Sequence, residues 1–455
     1  MQTRSDPEQI EGRGDDAAHR KDGDEHTVAG WLTVAGSFLV YFVSYGYMNS
    51  FGYFQDYYLG HSLAGYPSSV IAIIGSLQLG LMNLIQPVAG GLADSYSPSI
   101  LYAVAAVGAI VSSVGVSFAQ PGHIWQFILT QGVIFGSTAV FGTAVSLPLA
   151  SQHFTRRRAS AIGIVASGNS AGGVCLPIMF SHLVPRIGFG WALRIAALIA
   201  LVCYGIAILI SRPKLPRKPV KSIWSIVDFN GFRDPRYSTL ALANVVGNFG
   251  LYVPFYYLAN LFTRAVHRGS PSGSRGEELP SPAYQRIKLL RPSDVSYRVV
   301  QCAIMSSTLT NPSGGYVADH TGGLNLLYPL TAISGILCLT LWLLSTSVSM
   351  IVAFACLYGI FFSLIYACIK LAGVTPSVTV RLSPTDKVGA RLGAFSIWST
   401  IGVFTGTPIG GAFVRRGTPE EYQHLIIFTG MCLTASAVLQ FATRILCDRD
   451  LRKKW

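Results

Sequence analysis

Charge is what this chain has least of. Asp, Glu, Lys and Arg together supply 12% of its 455 residues, whereas a soluble globular domain carries about a quarter. With 51% hydrophobic residues and a positive mean hydropathy, the chain does not have water as its main solvent. Acid is scarcer than base, 21 against 34, for a net charge of +13. A nucleic-acid partner is still not expected, because the basic residues lie mainly in short segments between apolar runs. The eight cysteines show neither CxxC nor His-paired spacing, which argues against a metal site or a disulfide framework. Those in apolar runs, such as Cys175, Cys203, Cys302, Cys356 and Cys368, are read as small core residues. Met1 to Thr27 is polar and mixes acids with bases, unlike a cleavable signal, so the first span is expected to direct insertion. An HExxH pair, a His-rich cluster, paired intramembrane carboxylates and a P-loop are missing. These gaps disfavour a membrane-embedded enzyme and an ATP-driven pump, and no cofactor is expected.

What the chain has instead is apolar runs of about 18 or more residues, each long enough to cross roughly 30 Å of hydrocarbon as a helix. In the first half they are Gly30–Tyr53, Ser69–Ala93, Ser99–Phe118, Ile124–Leu147, Ala159–Leu183 and Trp191–Ile210. After a basic connector, 212–236, come Tyr237–Phe262, Tyr297–Ala318, Leu324–Leu344, Val348–Leu371, Leu392–Val414 and Leu425–Leu446. The expected organisation is a polar tail, 1–29, a six-helix bundle, 30–211, the linker, a second six-helix bundle, 237–446, and a basic tail, 447–455.

Lys and Arg are retained on the cytoplasmic side during insertion. Arg156, Arg157 and Arg158, the linker bases Arg212, Lys214, Arg217, Lys218 and Lys221, and then Lys387, Arg449, Arg452, Lys453 and Lys454 place both termini there. The connections near Asp56–Tyr66 and Ala119–His123, on the opposite side, have no Lys or Arg. One polar, Ser/Pro-rich and basic stretch, 263–296, breaks the pattern. It is either a long translocated loop or an insertion, such as retained non-coding sequence, that displaces the eighth span.

The second span ends PVAGGLAD, Pro87 to Asp94, and the eighth ends PSGGYVAD, Pro312 to Asp319. Matching ends on corresponding spans are the mark of transporters built from two parallel repeats. An acid there, Asp94 or Asp319, can pair with a base or cap a neighbouring helix N-terminus in one conformation only. These endings resemble the G-x-L-A-D-R motif of the major facilitator superfamily, with Ser95 and His320 where Arg is usual. The run HFTRRRASAIGIVASGNSAGGVCLPI, His153 to Ile178, resembles the opening of the fifth span in monocarboxylate-porter-like proteins, especially their fungal branch. Ser44 to Tyr58 and Gly389 to Ala412 are similar to that branch's first and eleventh spans. The branch's D-G-G motif before the first span is absent, and Asn311-Pro312 stands where many members have Gly-Arg.

The resemblance implies a major facilitator fold, an all-α membrane protein of two six-helix bundles, working as a secondary transporter. It also implies that the first, fourth, seventh and tenth spans line a central cavity. Candidates there are Tyr45 and Asn49, then Asn244, Asn248 and Tyr252, then Tyr366 and Lys370, spaced by four and so on one face of each helix. The amides line either a wet cavity or an interhelical hydrogen-bond seam. Lys370 either meets an anionic group or snorkels to the interface. Arg194, close to a span end, reads as an interfacial anchor. Arg391 matches the start of the family's eleventh span and suggests a cytoplasmic gate. Gly163, Gly168, Gly172 and Gly173, with Gly389, Gly393, Gly402 and Gly406, are assigned to the interface on which the halves rock.

The expected partners are a small organic solute, a carboxylate or a secondary metabolite, together with protons and the bilayer, the plasma membrane first among membranes. Facilitated diffusion and a transport-inactive or sensor-like member disrupted at the eighth span are the competing readings. Epitope tags on the two termini are expected to become protease-accessible from the same side of the membrane. Tags on opposite sides would rule out an even number of spans.

Overall fold

The computed structural model describes residues 28–154, 158–213, 228–254, 257, 317, 321, 323–345, 348–366, 388–414 and 418–448. Among these residues there are helices and no strands, as a lipid environment demands, since only a helix satisfies its backbone N–H and C=O groups within one segment. Helix α1 runs Val28–Asn49 and continues through Phe51–Tyr57 into a π-helical turn at Tyr58–Ser62. Next come α2 (Ser68–Ser95), α3 (Pro98–Ser117) and α4 (Ile124–Ser151, π-helical over Ile128–Phe135). They are followed by α5 (Arg158–Ile187), α6 (Phe189–Ile210) and α7 (Pro235–Leu251). Then α8 (Gly323–Leu337, extended by a π turn to Trp342), α9 (Val348–Tyr366), α10 (Val388–Phe413) and α11 (Pro419–Cys447) complete the set.

Eight helices among the described residues are long and apolar enough to cross a membrane, and Ser349–Phe362 is a shorter apolar helix. Helices α1 to α6 match the first six predicted spans and α7 the seventh; α8 to α11 match the ninth to twelfth. The predicted eighth span lies outside the described residues, as does the stretch 263–296. The first span is longer than predicted, because aromatic packing by Phe54 and Tyr58 carries the helix beyond Tyr53.

Local chemistry explains where the helices begin. Pro98, Pro235 and Pro419 occupy first-turn positions, where proline's missing N–H is no loss. The Asp234 side chain accepts from the Arg236 N–H, and Thr418 and Glu421 form a capping box. Gly188, at φ 84°, makes the tight reversal between α5 and α6 in a conformation that favours glycine. Inside the helices hydroxyls bond back to carbonyls a turn earlier: Ser76 to Ala72, Thr138 to Ile134, Thr331 to Leu327 and Ser334 to Leu330. A hydroxyl inside a span thereby finds an acceptor in its own helix.

The first six helices pack on one another, with α1 at the centre against α4, α5 and α6. In the second group α11 packs against α7 and α8, and α10 against α7. The broad contact between the groups is α2 against α10. Large apolar side chains such as Val107, Leu198, Leu209 and Val438 are exposed on the outside, an arrangement suited to a lipid shell and costly in water. Calling Cys175 a core residue needs correction, since it is exposed on α5, whereas Cys203 and Cys338 are buried.

The glycine assignment also changes. Gly172 of α5 lies against the Phe42 carbonyl and Gly46 of α1, and Gly168 against the Phe38 carbonyl. In the second group Gly402 of α10 meets the Val245 carbonyl, and Gly406 meets Phe249 Cα, both on α7. The described contacts of these four glycines therefore lie within each group of helices, not between the halves. Without side chains the two backbones close to a separation no other residue permits.

We expect Gly172→Ala to lower the thermal midpoint in detergent, because the new methyl would overlap the Phe42 carbonyl; overpacking of this kind costs about 1–3 kcal/mol. Gly205→Ala, whose Cβ would meet nothing within 4 Å, should leave the midpoint unchanged or raise it. Equal midpoints for the two variants would refute the seam.

Candidate functional site

The end of the molecule where α1 begins is here the near face, and the end where α1 meets α2 is the far face. Tyr45 stands near the midpoint of the span Val28–Ser62 and is buried. Its ring packs at 5.0 Å on that of Tyr41, whose hydroxyl donates to the Thr143 carbonyl on α4 at 3.4 Å. Tyr252, at the C-terminal cap of α7, packs against the same apolar cluster to which Tyr45 belongs. Tyr252 also meets Phe362 of α9 edge-on, with centroids 5.9 Å apart.

Behind Phe362 an aromatic column runs through Tyr358 and Phe354 to Trp342. The Tyr358 hydroxyl donates to the Leu251 carbonyl at 2.9 Å and pins the last turn of α7. The sequence reading missed Tyr358 and Phe362. Both share the i, i+4 face that leads to Tyr366, so the signal lay in the spacing that had singled out Tyr366.

The described asparagine hydrogen bonds lie within each helix group. Asn49 donates to Asn169 of α5 at 3.0 Å. Asn248 donates to Asn244 at 3.0 Å, and Asn244 to Ser399 of α10 at 2.7 Å. The Asn49–Asn169 and Asn244–Ser399 bonds run beside the two glycine seams and each joins helices within one group, while Asn248 bonds along its own helix. Of the predicted candidates, Tyr45 and Tyr252 share one apolar cluster drawn from both groups, and Asn49 and Asn244 bond helices of their own group.

Tyr366 ends α9 with its backbone alone described, and the same holds for Asp94 on α2 and Arg158 at the start of α5. Lys370, Asp319, Arg156 and Arg157 lie outside the described residues. Arg391 is placed at the near face. Its Nε lies 3.6 Å from an Asp228 carboxylate oxygen, both groups half-buried, and Tyr237 donates to its carbonyl at 2.6 Å. Arg391 is thus tied to the short helical turn before α7, within its own group; Asp228 went unremarked because it stands in the linker.

Small and polar groups of the two helix groups meet at the far face. Gln55 of α1 donates to Ser68 of α2 at 3.4 Å, and the Tyr257 hydroxyl is in hydrogen-bonding range of both. A Cβ on Gly411 of α10 would lie 2.7 Å from that hydroxyl and 2.8 Å from Ser69 Cα. The two groups of helices therefore touch closely at this end.

Gly168 to Gly172 reads Gly-Asn-Ser-Ala-Gly, the spacing of a hydrolase nucleophile elbow. That chemistry needs a strained turn between a strand and a helix, whereas these residues sit inside α5 with both glycines buried against α1. Among the described residues no group of His, Cys, Asp and Glu could hold a metal ion.

Long apolar helices, a lipid-facing exterior and an aromatic site shared by two helix groups define a multi-pass membrane protein. The sequence profile of the Major Facilitator Superfamily matches residues 33–371, and the chain belongs to that family of transporters. It is a transporter, not an enzyme. It is 29% identical over 419 residues to MFS-type transporter opdF of Penicillium oxalicum, covering 91% of this chain and 90% of that one. It is 29% identical over 438 residues to the Fujikurins efflux protein of Gibberella fujikuroi, covering 96% and 87%. The fold is shared with the crystal structure of the nucleoside transporter NupG, at a TM-score of 0.62 and 15% identity, over 93% of this chain and 100% of that one.

The pair Ser69→Cys and Gly411→Cys should form a disulfide on mild oxidation, seen by mass spectrometry as one linked peptide pair. Cross-linking is expected to arrest solute movement in proteoliposomes, and reduction to restore it. A pair that never cross-links would contradict the close contact at the far face.

Proposed function

We propose that this transporter exports a small organic solute of the secondary-metabolite class across the plasma membrane by alternating access, driven by a gradient. The observation that carries the proposal is that Tyr45 of α1 belongs to an apolar cluster drawn from both groups of helices, against which Tyr252 and Phe362 pack edge-on to each other. Three aromatic rings offer apolar area and π faces at low conformational cost, a lining suited to a flat, weakly polar molecule. Efflux is favoured by the name of the relative from Gibberella fujikuroi.

In this proposal the near face is cytoplasmic, both termini lie there, and residues 30–211 and 237–446 form the two six-helix halves. The contacts of Gln55, Ser68 and Tyr257 with one another then make a closed outer gate, and opening them would release solute outside. The Asp228–Arg391 pair braces the inner end of the second half and leaves the moving contact to α2 and α10. Proton coupling belongs to the same proposal; it would draw on Asp94 or Asp319 at the inner ends. A monocarboxylate solute is a second reading, favoured by the fifth-span motif at His153 to Ile178; Lys370 would then supply the cation.

The test is export from proteoliposomes loaded with a panel of fungal metabolites and short carboxylates, with and without a pH gradient. Tyr252→Ala should cut the rate at least tenfold, that is by about 1.4 kcal/mol or more of solute or transition-state binding, while Tyr252→Phe keeps most of it. Unchanged export by Tyr252→Ala would remove the aromatic site. Export indifferent to the pH gradient would remove proton coupling alone, and a wild type that moves nothing on the panel in any gradient would favour a transport-inactive member.

A further inference from the structure

Arg194 is a cation that pairs with aromatic rings. It lies on α6, and its guanidinium carbon sits 4.6 Å from the Phe118 ring centroid and 4.7 Å from that of Trp191. Its Nε donates one long hydrogen bond, 3.4 Å, to Ser117 Oγ. Among the described residues no carboxylate pairs with it. The remaining guanidinium N–H groups have no protein acceptor there, yet Arg stays protonated at any physiological pH.

Its depth makes this consequential. Arg194 stands five residues after Phe189, the first residue of α6, which is about 7.5 Å at 1.5 Å per residue. A helix of 22 residues spans about 33 Å against roughly 30 Å of hydrocarbon. The guanidinium therefore sits where headgroups give way to acyl chains. Phe118 is 68% and Trp191 60% exposed, and Trp125 is exposed at the same end of the molecule, a belt of the kind that marks the bilayer interface. Toward the membrane centre, Leu198 and Leu201 follow Arg194 at i+4 and i+7 and are exposed, so a greasy stripe runs away from the charge.

We propose that Phe118, Trp191 and Arg194 form a binding site for a phospholipid of the far-face leaflet. The guanidinium holds the phosphate by charge-assisted hydrogen bonds. The two rings fix the guanidinium plane through cation–π contact, and an acyl chain lies along Leu198 and Leu201. The site is separate from the aromatic pathway at Tyr45 and Tyr252 and does not depend on the direction of transport.

Detergent-purified protein titrated with phosphatidylglycerol and followed by native mass spectrometry tests the site. The wild type should retain a bound lipid that Arg194→Gln loses at least fivefold and Arg194→Lys loses in part. Trp191→Leu should weaken retention too. Arg186→Gln, which removes an exposed arginine at the same face, should not change it. Diacylglycerol, which lacks the phosphate, should bind no better to the wild type than to Arg194→Gln. Thermal midpoints for each variant separate lost binding from lost fold. Equal lipid retention by folded wild type and Arg194→Gln would overturn the proposal. So would a wild type that retains no lipid, or one in which millimolar inorganic phosphate displaces the lipid completely.

Discussion

A polar group in hydrocarbon must find its partner within the protein, and this single constraint orders most of the molecule. It makes every described span a helix, because no other local structure closes its own backbone hydrogen bonds. It turns serine and threonine hydroxyls back onto carbonyls one turn earlier, as at Ser76, Thr138 and Ser334. Where a side chain cannot serve itself, as with the amides of Asn49 and Asn244, it must face a neighbouring helix that offers an acceptor. Packing is then left to contact at short range, since lipid is as apolar as leucine and no hydrophobic gain holds the helices together.

That requirement accounts for the two glycine seams. Gly168 and Gly172 let α5 close on α1, and Gly402 and Gly406 let α10 close on α7. The two seams are copies of one joint, first span on fifth and seventh span on eleventh, each reinforced by an asparagine ladder. Such joints stiffen each group of helices internally. The groups also meet closely, since α2 lies along α10 and small or polar residues come together at the far face around Ser69, Tyr257 and Gly411.

Much of this was legible before any coordinate. Tyr45 and Tyr252 were marked by their place on spans that the family resemblance puts around a cavity, and both belong to one apolar cluster. Asn49, Asn244 and Asn248 were marked by the same spacing but serve the seams, because periodicity gives a helix face and not the helix it meets. Tyr358 and Phe362 passed unnoticed because an aromatic residue in an apolar run carries no contrast of hydropathy. Asp228 escaped attention because it falls in a connector, where an acid looks solvated. Arg194 reads from its position as an interfacial anchor, but its two aromatic walls come from different stretches of the chain and no local pattern joins them.

The sequence alone determined that this is a membrane protein, where most of its helices run and which family it resembles. Those properties follow from local facts: the length of an apolar run, a proline in a first turn, a motif at a span's end. Tertiary structure alone decided which asparagine bonds which helix, that Gly168, Gly172, Gly402 and Gly406 meet helices of their own group, and that Tyr252 of α7 packs on Phe362 of α9. The reason is physical. Helical periodicity is written within a dozen neighbouring residues, whereas the rotation of one helix against another is set by the summed shape of side chains far apart in the chain.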